Sequence, residues 1–105
     1  MRYTPCWKQI GISLDRYLEL VHFCRQYPEW IVDPLPGTET LKKIAIVEKC
    51  AISIGNGEWY AAMIEHVCYK KTQNKIDIAL LPNSDRNVFY RQRRLFFELL
   101  NQNKV

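Results

Sequence analysis

The 105-residue chain contains no apolar run approaching the ~18 residues that a bilayer-spanning helix requires. It has no CxxC pair, because Cys6, Cys24, Cys50 and Cys68 are separated by 18, 26 and 18 residues. That spacing argues against a zinc ribbon and against a thioredoxin-type redox centre. Glycine is scarce, and none of Gly11, Gly37, Gly55 and Gly57 belongs to a loop with Lys and Ser or Thr that would cradle a phosphate. Histidine is scarcer still, with only His22 and His66. Asp77 and Asp85 lack the further acidic partners that a two-metal nuclease centre needs. Met1 to Ile10 carries Pro5, Trp7 and Lys8 where a secretory signal would have its apolar stretch. These absences give the expectation of a cytoplasmic protein that is not an enzyme and needs neither metal nor cofactor.

What is present is ordinary globular composition, with 48% hydrophobic, 12% aromatic and 25% charged residues, which excludes disorder and low-complexity chains. Without an export signal, the four cysteines read as reduced, buried thiols. His22-Phe23-Cys24 and His66-Val67-Cys68 look like ligand pairs, but residues two apart on a helix point about 200° apart and cannot chelate together. Nor is a Cys–His catalytic dyad favoured, because both histidines lie within apolar helical stretches whereas reactive thiols need exposed, electropositive surroundings.

Hydrophobic periodicity predicts five helical elements and almost no sheet, hence an all-α bundle in a single domain, with an N-terminal part over 1–55 and a second part over 56–105. Ser13 caps a helix from Leu14 through Tyr17, Leu18, Val21 and Cys24 to Tyr27, which Pro28 ends. Thr38 or Thr40 caps a broad-faced central helix from Leu41 to Ile54. After Gly55-Asn56-Gly57, a third helix carries Trp59 to Cys68, and a short apolar element runs from Ile76 to Leu81. Asn83 or Ser84 caps the last helix, with Asp85 in its first turn. On that helix Val88, Phe89, Leu95, Phe96, Leu99 and Leu100 form an apolar arc broken by Gln92, with Phe97 just outside it. Trp7, Tyr17, Phe23, Tyr27 and Trp30 are expected in the core.

Charge is unevenly spread. Residues 1–69 hold seven basic and eight acidic side chains, and residues 70–105 hold eight basic and three acidic ones. A basic face beside a compact helical core is the footprint of phosphate-backbone binding. The order helix, turn, short helix, turn, capped basic helix matches a helix-turn-helix, whose second helix enters the major groove. In that reading Arg86, Asn87, Tyr90 and Arg94 face the groove, while Ser84, Lys70, Lys71 and Arg91 position phosphates.

The stretch Glu58–Leu100 resembles the C-terminal segment of phage regulators of the ArpU and RinA type, themselves similar to the promoter-reading helix-turn-helix of sigma factors. Ile78-Ala79 matches the Ile-Ala pair of the first short helix, Ser84 the cap, Val88 the buried position of the recognition helix, and Leu95, Leu99 and Leu100 its closing core face. The chain departs from the pattern at Leu81-Pro82-Asn83, a tighter turn with Pro-Asn in place of Gly, and at the bulky pairs Phe89-Tyr90 and Phe96-Phe97. The resemblance implies a transcriptional regulator of phage origin acting on double-stranded DNA. Symmetric dimerisation is a further expectation, since helix-turn-helix proteins commonly read two half-sites, and a leftover aromatic patch would be a dimer or RNA polymerase contact. The alternative reading is a small phage-encoded interaction module, such as an anti-CRISPR-like inhibitor or an adaptor. In it the basic aromatic helix grips an acidic host protein surface, RNA or a nucleoprotein.

Overall fold

The computed structural model describes residues 4–104, and among them it is helical with no strand. Six α-helices follow one another: α1 (Cys6–Gln9), α2 (Leu14–Arg25), α3 (Tyr27–Ile31), α4 (Thr38–Ser53), α5 (Tyr60–Val67) and α6 (Arg86–Asn103). The all-α architecture is as the periodicity predicts. No helix among the described residues is long and apolar enough to cross a membrane.

Helix α2 begins where expected, with the Ser13 hydroxyl accepting the Arg16 amide and Asp15 in the first turn. Pro28 has a different role from the one predicted. The chain turns at Gln26, and Pro28 sits in the first turn of α3, where its missing N–H costs nothing. Helix α4 begins at Thr38 with Gly37 as its uncapped flank, so neither threonine is the cap. It runs centrally, packing against α3, α5 and α6 and burying Val47, Cys50 and Ala51, whereas Leu41 and Ala45 are exposed.

The buried side chains form a cluster drawn from every α-helix, including all four cysteines as free thiols. Burial pushes the Cys50 thiol up to about 11, and the Cys6 thiol also upward, against the opposing pull of Arg93 and Arg94. These sulfurs behave as small apolar groups rather than nucleophiles. Of the predicted core aromatics, Phe23 and Tyr27 are buried, Tyr17 and Trp30 pack against the cluster half-buried, and Trp7 lies outside it. The Tyr27 hydroxyl donates to Glu48 Oε2 at 2.6 Å and Tyr60 joins the pair, tying α3, α4 and α5 together.

Two expectations for the last third change. The segment 76–81 is not a helix but follows a 3₁₀ turn at Gln73–Lys75 and contains another at Ile78–Leu80, with Ile76 buried and Ile78 exposed. Asp77 Oδ1 accepts the Ala79 amide and closes that second turn, the local side-chain bonding by which Asp competes with helix. The cap of α6 is Asp85, whose carboxylate accepts the Asn87 amide, rather than Asn83 or Ser84. Asn83 instead accepts the Asp85 amide at 2.7 Å in the preceding turn.

The buried face of α6 is also turned relative to the predicted arc. Phe89, Phe96, Phe97 and Leu100 are the buried residues, and Leu95 is exposed. The Phe97 ring meets Tyr17 of α2 edge-on at 5.2 Å, so the bundle recruits the aromatic ring and leaves the leucine outside. Arg16 of α2 holds the other end of α6, with Nε donating to Asn101 Oδ1 at 2.8 Å and Nη2 to the Lys104 carbonyl. A guanidinium on the terminal carbonyls of a helix also opposes the negative end of its dipole.

Candidate nucleic-acid interface

The site is built around the N-terminal half of α6, held in place by its own buried face. Phe89 is fully buried between Trp59, at 6.1 Å, and His66, at 4.9 Å. Its neighbour Tyr90 therefore projects outward at a fixed angle, edge-on to both Phe89 and His66. Two guanidiniums flank the Tyr90 ring, Arg86 at 5.7 Å and Arg93 at 5.9 Å.

The predicted residues fall into three groups. Ser84, Arg86 and Tyr90 line a half-open cleft of about 630 Å³, closed on the opposite side by Gln73, Asn74 and Ile76. Gln73 Nε2 donates to the Ser84 carbonyl at 3.0 Å, bridging the two walls. Lys70 and Lys71 line a second, smaller cleft with Arg25, His66 and Arg93. Asn87, Arg91 and Arg94 follow the spacing i, i+4, i+7 and so share another stripe of α6. On it Asn87 and Arg91 are exposed and Arg94 half-buried. The set is thus divided between two clefts and one stripe of α6 rather than gathered in one row of side chains.

Most of the cations in this region have no carboxylate partner among the described residues. Among the described residues the ion pairs are Arg16–Glu19, Lys42–Glu39 and Lys71–Glu65. Arg86, Arg91, Arg93, Arg94 and Lys70 accordingly have no carboxylate partner among those residues. Lys71 is the exception: its Nζ lies 2.9 Å from Glu65, and its carbonyl lies 2.7 Å from His66 Nδ1. That carbonyl can only accept, so Nδ1 of the neutral ring carries the proton. Burial lowers the His66 pKa, the Lys71 carbonyl opposes the shift, and the Arg93 charge adds to it. His22, in contrast, is exposed on α2 rather than packed in the core.

Sequence reasoning left three contributors unassigned. Arg93 carries a usable signal, lying seven residues after Arg86 and three after Tyr90 on the same helix. Arg25 and His66 carry none, since only the packing of α2 and α5 against α6 brings them there. Among the described residues no cluster of His, Cys, Asp and Glu suits a metal ion. No family model matches the chain, and no curated protein and no solved structure shows significant similarity to it.

Proposed function

We propose that the protein binds double-stranded DNA through the exposed side of α6, as a transcriptional regulator of the kind the ArpU/RinA resemblance implies. The observation that carries this reading is that the arginines of α6 have no carboxylate partner among the described residues. Neighbouring arginines without carboxylate partners repel one another, a cost that a polyanion relieves while its own condensed counterions are released. Asn87 and Arg91 are exposed on one stripe of α6, Asn87 suited to an adenine edge and Arg91 to a phosphate. Because the preceding segment forms 3₁₀ turns rather than a helix, α6 would approach the groove backed by the bundle. The short first helix of a helix-turn-helix plays no part in that docking.

The test is selection from a random duplex pool at moderate salt, followed by sequencing of the retained fraction. An enriched motif is expected. Asn87→Ala should relax one position by about 1–3 kcal/mol, and Arg91→Ala should weaken all sequences alike and reduce the salt slope by about one. Retention that is the same for wild type and both variants, with unchanged melting, would refute the assignment.

A second reading has its own observation. Val32 and Leu35 are 75% and 88% exposed between α3 and α4, with Ile31 at the end of α3 and Leu41 in the first turn of α4 also exposed. Such a grouping of apolar side chains fits a protein partner, whether RNA polymerase, another host protein or a second copy of the chain. Absence of any DNA retention, with a host protein captured only while Leu35 is intact, would favour it.

A further inference from the structure

We propose that the cleft between the end of α2, the turn after α5 and the middle of α6 is a site for a phosphate monoester dianion. Its choice of ligand rests on the nucleic-acid reading, but its residues differ from the stripe that would read the duplex. The cleft, of about 210 Å³, is lined by Arg25, Lys70, Lys71 and Arg93 together with His66. That volume holds a tetrahedral anion and a few waters, each of which fills about 30 Å³.

The charges select the ligand. Four permanent cations face one carboxylate, Glu65, which pairs with Lys71 and leaves three positive charges uncompensated. Arg93 also donates to the Tyr17 hydroxyl, which orients the guanidinium without neutralising it. A backbone phosphodiester brings a single negative charge, whereas a terminal phosphate brings nearly two. Shape points the same way. The cations ring a concavity walled by Val21, Val67 and Phe97, which a chain end enters more readily than the convex flank of a duplex. Those apolar walls also weaken screening inside the cleft.

Lys70 supplies the second observation. Its φ of 60° lies in the left-handed region, which is disfavoured for a residue carrying a Cβ. The turn is fixed by the Lys71 amide returning to the Glu65 carbonyl at 3.2 Å. Glycine would adopt this backbone more readily, yet a lysine stands at the mouth of a cationic cleft. Bound phosphate would also raise the His66 pKa. The charged and titratable groups around that ring are Arg25 of α2, Glu65, Lys70 and Lys71 of the α5 end, and Arg93 and Tyr90 of α6.

The experiment compares 5′-phosphorylated with 5′-hydroxyl DNA of one sequence, with inorganic phosphate as competitor and the His66 ring followed by NMR. The phosphorylated end should bind at least about tenfold tighter, the worth of one or two charge-assisted hydrogen bonds. Lys70→Gly should abolish that advantage without lowering thermal stability, since glycine relieves the backbone while removing the charge. Arg25→Ala, on a different helix, should act in the same direction. If both DNAs bind equally and phosphate leaves His66 unmoved, the cleft proposal fails while the duplex reading stands. If no DNA binds but inorganic phosphate raises the His66 pKa in a Lys70-dependent way, the site stands, its ligand is a free nucleotide or similar phosphate, and the duplex reading fails.

Discussion

Gly55→Ala tests how the molecule fixes α6. Gly55 has φ 53° and ψ 35°, and a Cβ built on it would lie 2.5 Å from Trp59 Cδ1 and 3.2 Å from Nε1. Two costs follow. The left-handed backbone disfavours alanine by about 1–2 kcal/mol. The overlap cannot be relieved by rotating a free side chain, because the Trp59 indole is itself buried, 4% exposed, against Phe89. Forcing an extra methyl into a packed site costs about 1–3 kcal/mol more, so the variant should lose about 2–5 kcal/mol in total. Gly11→Ala separates the two costs, since Gly11 has φ 77° but a Cβ added there would meet no heavy atom within 4 Å. It should lose only the backbone part, about 1–2 kcal/mol. Urea denaturation followed by tryptophan fluorescence and far-ultraviolet circular dichroism gives both values from shifts in midpoint at constant slope. Equal losses in the two variants would refute the claim that Trp59 is locked between the 54–57 turn and α6.

Phe96→Ala should cost about 3–5 kcal/mol and Leu95→Ala less than about 1 kcal/mol, because Phe96 is fully buried and Leu95 is 36% exposed; a loss for Leu95→Ala as large as that for Phe96→Ala would restore the arc predicted from sequence. Tyr27→Phe should cost about 1.5–3 kcal/mol by removing the donor to the Glu48 carboxylate, and a neutral result in denaturant titration would show that the bond contributes nothing. His66 has its folded-state pKa below the ordinary value of 6.5, so the unfolded chain binds the proton more readily. Its contribution is therefore complete above about pH 6.5 and is lost as the pH falls through the folded-state pKa. A His66→Gln variant should lose less stability than wild type between pH 7 and pH 5, and identical losses would refute the assignment.

Much of the helical order is a local property and was legible along the chain. Ser13 before Leu14, the Gly55-Asn56-Gly57 break and the apolar spacing of α4 each act over one or two turns, so they specify α2, the end of α4 and its central position. The basic bias of residues 70–105 is likewise a matter of counting. Local signals also misled in places. Asn83, Ser84 and Asp85 are all competent caps, and the turn geometry selects Asp85. The apolar residues between Ile76 and Leu81 have helical composition, but Asp77 closes a 3₁₀ turn within them.

The rotation of α6 belongs to a different level. Whether Leu95 or Phe97 is buried depends on the Tyr17 ring of α2, 80 residues earlier, which no periodicity within α6 contains. Arg16 stands where a capping acid would, yet its side chain holds the far end of α6. The same distance in sequence hid Arg25 and His66 from the candidate site. Sequence by itself determined the four longer helices, α2, α4, α5 and α6, and where positive charge accumulates, because propensity, capping and composition are short-range. Tertiary packing decided which face of α6 is exposed and which cations share a cleft, because those depend on how distant apolar side chains exclude water together.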